Sequence, residues 1–99
     1  VPAYMIVIAR IRDREAFLNG YAPAAAALVA RHGGRYVLRA PGAALLEGAW
    51  GDQASVAISE WPDRATAQAF WDSPDYAEIK RLRGGLAECQ VLLVEGQLS

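Results

Sequence analysis

Glu60 follows Val56 and Ile58 at every second position. Along a strand that spacing puts a carboxylate on an otherwise apolar row. A carboxylate held there needs a cationic partner, and without one its pKa rises. Arg39 and Arg83 are the expected partners. Tyr21 and Tyr76 fall on helix faces that should meet a sheet, and each brings one hydroxyl to an apolar wall. The five residues together would line a cleft that grips a small carboxylate or phenol. Glu60 would be its base or anchor, Arg39 and Arg83 would hold negative charge, and Tyr21 and Tyr76 would orient the ligand. The competing reading is a fixed pair of Glu60 with an arginine that closes one end of the fold.

The other reactive residue types carry less. His32 is the sole histidine. It stands near a helix C-terminus, which favours its protonated form; a general base and a haem ligand are the alternatives. Cys89 is the sole cysteine and opens a strand beside Glu88. It cannot form an internal disulfide; a nucleophilic thiol wants a nearby base or cation, and a structural or inert thiol is the reading weighed against that. Glu47 and Glu95 each precede a glycine, as turn carboxylates or salt-bridge partners do. Asp72, Asp75 and Glu78 recur every three residues across a helix break, which suits a solvated acidic face better than a metal site. One cysteine and one histidine cannot supply a Cys/His zinc site. No phosphate loop, dinucleotide fingerprint or Ser/His/Asp arrangement is legible, so chemistry here is expected to be cofactor-free.

Composition narrows the classes further. The hydrophobic fraction is 54% and the net charge −1, which argues against a disordered chain and a general nucleic-acid binder. No apolar run is long enough to cross a membrane. The opening Val1-Pro2-Ala3-Tyr4 has no basic segment ahead of an apolar stretch, so no secretory signal is expected. A cytoplasmic setting fits the lone cysteine. Residues 1–50 carry six basic and three acidic groups, residues 51–99 four and eight. A solvated surface explains that +3 and −4 division, and a field that steers an anionic ligand is the sharper reading.

The elements follow from patterning. Residues 4–12 are β-branched and apolar on both parities, as in a strand covered on both faces. Asp13 is a helix N-cap, and Phe17, Tyr21, Ala24 and Leu28 make one apolar stripe of a helix to about His32. Gly20 and Pro23 predict a kink or restart within it, and Gly33-Gly34 its end. Arg35, Val37 and Arg39 alternate with Tyr36 and Leu38 in a second strand. A short extra strand is expected at residues 45–48. Residues 54–60 form the next strand. Asp63 caps a helix that buries Ala67, Phe70 and Trp71, and Ser73-Pro74 starts another helical turn presenting Tyr76, Ile79 and Arg83. Residues 89–95 complete the strands.

This β-α-β-β-α-β order predicts a single ferredoxin-like domain, a four-stranded antiparallel sheet with two helices on one face. The first and last strands are apolar on both faces, and at 99 residues the available cover for the second face is another copy of the chain. A homodimer packed sheet to sheet is expected.

The ordered segments Pro2-Ala3-Tyr4, Asp13-Arg14-Glu15-Ala16-Phe17, Gly33-Gly34-Arg35-Tyr36-Val37-Leu38-Arg39, Leu46-Glu47-Gly48, Ile58-Ser59-Glu60-Trp61-Pro62, Ser73-Pro74-Asp75-Tyr76 and Val94-Glu95-Gly96 cover nearly the whole chain. By these the sequence resembles the bacterial DUF1330 family of the dimeric α+β barrel superfamily. It departs where the family pattern has Arg-Gly-Gly and this chain has Arg39-Ala40-Pro41, where a helix proline is Ala27, and where the usual phenylalanine is Trp61. The resemblance implies a dimer and a small cavity between sheet and helices, without naming a reaction. Superfamily relatives include cofactor-independent monooxygenases, haem-degrading enzymes and ring-rearranging isomerases, a likeness of fold alone. The expected function is binding or cofactor-independent turnover of a small apolar or anionic metabolite. The alternatives are a non-catalytic dimeric structural or stress-response module and, more weakly, haem binding through His32.

Overall fold

The computed structural model describes residues 1–99. Strands β1 (Ala3–Ile11), β2 (Arg35–Ala40), β3 (Ser55–Trp61) and β4 (Ala87–Glu95) form a fully antiparallel sheet in the order β2-β3-β1-β4. Between β1 and β2 run helices α1 (Arg14–Asn19) and α2 (Tyr21–Arg31). Between β3 and β4 run α3 (Arg64–Trp71), α4 (Pro74–Lys80) and a 3₁₀ turn, Arg81–Arg83. This is the expected ferredoxin-like plait, with each crossover helix broken in two.

The breaks have local causes. The first helix restarts at Gly20, whose N–H still reaches the Ala16 carbonyl at 3.0 Å. Pro23 is thereby placed in the first turn of α2, where a missing N–H leaves no intrahelical bond unmade. All three expected caps are present. Asp13 accepts from the Ala16 N–H at 3.1 Å, Asp63 from Thr66 at 2.7 Å and Ser73 from Tyr76 at 3.1 Å. α2 ends where Gly33 turns to a φ of 94° and the Gly34 N–H returns to the Val29 carbonyl at 2.9 Å, a left-handed stop that glycine adopts freely.

The core lies between the sheet and the helices. Ala3 and Met5 of β1 and Trp61 of β3 meet Leu28 and Val29 of α2, Ala67 and Phe70 of α3, and Tyr76 of α4. Phe70 is at its centre, with ring centroids 4.9 Å from Trp61 and 4.8 Å from Tyr76. Trp61 is 1% exposed, and its indole N–H donates to Ser59 Oγ at 2.9 Å. Its buried N–H is therefore satisfied. The other face of the sheet presents Ile6, Ile8, Val56 and Ile58, with Leu38, Leu92 and Val94 exposed.

Residues 45–48 do not form the expected extra strand. The Leu45 N–H donates to Asp52 Oδ1 at 3.1 Å instead of to a neighbouring strand. The segment is a loop closed by backbone bonds between Ala43, Gln53 and Ala54. Trp50 anchors it under the Arg10 guanidinium, 4.8 Å from ring to cation, an attraction of the ring face for the charge.

Gly34 gives the core its most exacting test. A Cβ there would come within 2.8 Å of three carbons of the Trp61 ring, which is buried and cannot swing away. Gly34→Ala should destabilise the fold by about 1–3 kcal/mol through overpacking. Chemical denaturation checks this, and adding Trp61→Phe should restore part of the loss.

Candidate functional site

The pleat sorts the polar residues onto two faces. In the register, Tyr36, Ser59, Met5 and Leu93 form one row across the sheet, and Arg35, Glu60, Tyr4 and Val94 form the next. Adjacent rows point to opposite faces. The first row faces the helices and the second faces away. Between Tyr36 and Leu38 the β2 register slips by one residue, a β-bulge. Arg39, opposite Ala57, therefore faces the helices with Tyr36, and Arg35 faces away. The simple alternation expected for residues 35–39 is corrected by that extra residue. Bulges re-aim side chains in this way.

On the helix side a cavity of about 180 Å³ opens between α1, α2 and the sheet. Val7, Ala9, Ala57, Ala25, Val29 and Phe17 supply most of its apolar wall. Small side chains leave the space: Ala22, Ala25 and Ala26 stand on the helix side where larger residues would fill it. The polar groups on the wall are Arg14, Arg39, Ser55, Ser59 and the phenols Tyr21, Tyr36 and Tyr76. The wall holds no carboxylate, imidazole or thiol.

The phenols are donors. Tyr21 and Tyr76 share one hydrogen bond at 2.7 Å between their hydroxyls. Burial, and then the neighbouring Tyr76, push the Tyr21 pKa far up. Burial likewise raises that of Tyr36. These groups stay protonated at neutral pH and can donate a hydrogen bond, without serving as bases. Two hydroxyls joined by one bond retain one proton for a further acceptor. Arg39 stacks 4.8 Å from the Tyr36 ring and Arg83 lies 5.6 Å from the Tyr21 ring. The six ion pairs of the chain engage neither these two nor Arg14. The Arg83 Nε is buried without a hydrogen-bond partner.

Glu60 stands apart from these residues, on the far face. Tyr4 donates to its Oε2 at 2.7 Å, and Arg35 donates to Oε1 through Nε at 2.9 Å and Nη2 at 2.6 Å. The partner is Arg35, in place of the expected Arg39 or Arg83. The Tyr4 hydroxyl, and then the Arg35 guanidinium, hold the Glu60 carboxyl below its ordinary value, and Tyr4 is raised by the same bond. Thus Glu60 is a fixed carboxylate. Of the five residues expected to share a cleft, Tyr21, Tyr76 and Arg39 line the cavity, Arg83 lies behind Tyr21, and Glu60 is across the sheet.

The model of the domain of unknown function DUF1330 matches residues 2–97. The chain belongs to the DUF1330 family. No curated protein matches it. Among solved structures, the RPA0582 protein of unknown function from Rhodopseudomonas palustris is 21% identical, with a TM-score of 0.78 over 99% of this chain and 84% of that one. SnoaB, a cofactor-independent oxygenase from Streptomyces nogalater, is 17% identical, with a TM-score of 0.71 over 99% and 95%. A dimeric ferredoxin-like protein of unknown function from Jannaschia sp. CCS1 is 10% identical, with a TM-score of 0.75 over 97% and 100%. At such identities the likeness is one of fold.

Within this DUF1330 chain, sequence reasoning passed over Arg14, Tyr36, Tyr4 and Arg35. One signal was present for Arg14: a cation in the first turn of a helix opposes the macrodipole and has no local reason to be there. Tyr4 and Arg35 needed the strand register, which the sequence does not print.

The Glu60 cluster gives a pH dependence of definite sign. Its folded pKa lies below its unfolded one, so the stabilisation is complete above the unfolded value and is lost as pH falls through the folded value. Melting temperatures of the wild type and Glu60→Gln should differ most at neutral pH and converge as the pH falls through the acid range. A constant gap across that range would contradict the assignment.

Proposed function

We propose that this chain is a homodimeric small-molecule-binding protein, with one ligand site per subunit in the cavity between sheet and helices. The supporting observation is the cavity itself: an apolar space of about 180 Å³ whose polar groups are hydrogen-bond donors and unpaired cations. Binding sites combine an apolar enclosure with a few converging polar groups in this way. A purely structural module would fill that space and pair those groups. The wall carries no group able to take a proton at neutral pH, so the donors and cations suit holding an electron-rich ligand better than abstracting a proton from it. In the cofactor-independent oxygenase SnoaB the same fold accompanies an enzyme; here, turnover would rely on the ligand's own reactivity while the tyrosines and arginines stabilise its charge.

The homodimer follows from the open sheet face. Leu38, Leu92 and Val94 are exposed beside Ile6, Ile8 and Ile58, an apolar surface that a second sheet would cover. The ferredoxin-like protein from Jannaschia sp. CCS1 is dimeric. Glu60, Tyr4 and Arg35 border that face, where a satisfied carboxylate lends structure to the interface without meeting the ligand.

Thermal shift against small phenols, keto acids and fatty acids tests the site, since a ligand of the folded state raises the melting temperature. Hits should disappear in Ala57→Leu, which projects an isobutyl group into the cavity, and persist in Glu60→Gln. Hits lost in Glu60→Gln and kept in Ala57→Leu would place the ligand on the wrong face for this reading. Sedimentation should give twice the 10.7 kDa subunit mass, and Ile58→Asp should give the monomer.

A further inference from the structure

Building on the cavity reading above, we infer that the ligand class is a monocarboxylate whose apolar body is about the size of one ring, with Arg39 and Arg14 receiving the carboxylate. The first ground is charge. Arg14 and Arg39 stand on the wall of one cavity, and neither has an acidic partner. Two guanidinium groups thus stand on a wall that holds no carboxylate, and a third, Arg83, lies 5.6 Å from the ring of Tyr21. Cations at the mouth of an apolar cleft attract an anion toward it. Elsewhere the chain readily neutralises its arginines, as Glu60 does Arg35 and Glu88 does Arg10. These were left open where an anion would complete them.

The second ground is the unspent donor. Tyr76 is 4% exposed, and its hydroxyl and that of Tyr21 share one hydrogen bond. One of the two phenolic protons has no protein acceptor, and a buried donor left so costs free energy. A ligand oxygen supplies the acceptor. A neutral hydrocarbon would fill the space and leave the donor and the cations unmet.

The third ground is size and geometry. An apolar cavity of roughly 150 Å³ accepts benzene, so about 180 Å³ suits one ring or a branched chain of similar bulk. Arg39 lies over the Tyr36 ring at 4.8 Å, an attraction that holds the cation at the cavity, and a guanidinium can give a carboxylate two parallel bonds.

The test is calorimetric titration with benzoate and with benzyl alcohol, its uncharged counterpart of similar bulk, on the wild type, Arg39→Gln and Arg14→Gln. Both arginines are exposed, so both variants should fold as the wild type does by circular dichroism. Benzoate should bind more tightly than benzyl alcohol, and each substitution should weaken benzoate by about tenfold while leaving benzyl alcohol unchanged. Benzyl alcohol binding as tightly as benzoate, or benzoate indifferent to both substitutions, overturns the anion class and leaves the cavity reading in place. Binding of neither compound overturns both.

Discussion

β1 runs through the middle of the sheet, between β3 and β4, and its side chains must alternate between two faces. Both sets are apolar, but the chain has helices for only one of them. Ala3 and Met5 enter the core, while Ile6 and Ile8 do not. The remaining architecture follows from this single asymmetry. The covered face holds the packed core at one end and the cavity at the other. The uncovered face calls for a cover of matching shape, which the proposed homodimer would supply. Even the polar residues obey the division, with the phenols on the helix side and the Tyr4, Glu60 and Arg35 cluster on the other.

The β2 bulge then decides which arginine does what. Arg35 and Arg39 share a parity, and in a regular strand both would point the same way. The slip between Tyr36 and Leu38 separates them. Arg35 neutralises Glu60, and Arg39 is left against Tyr36 at the cavity with its charge unmatched. One extra backbone residue thus converts a pair of like cations into a paired one and a cavity-facing one.

Much of this was legible before the structure. The strands, the restart at Gly20 and the caps at Asp13, Asp63 and Ser73 are local features, set by propensity and short-range hydrogen bonds. Tyr21 and Tyr76 at the cavity were legible too, because helical spacing reports a buried face. The partner of Glu60 was not: it depends on which residues stand opposite in a neighbouring strand, and a bulge shifts that by one. Leu45 and Leu46 read as a strand by composition, yet Asp52 takes the Leu45 N–H and leaves no ladder. Cavity volume is the least legible quantity, because it is the space that Ala25, Ala26 and Ala57 fail to fill.

The proposed ligand lies on the helix side of the sheet, with its charge toward Arg39. Crystals of the protein grown with 4-bromobenzoate test this most directly, because the bromine's anomalous scattering marks its position independently of the fit. The bromine should lie within the cavity walled by Val7, Ala25 and Ala57, with the carboxylate turned to Arg39. Bromine on the open face beside Tyr4 and Glu60 would contradict it.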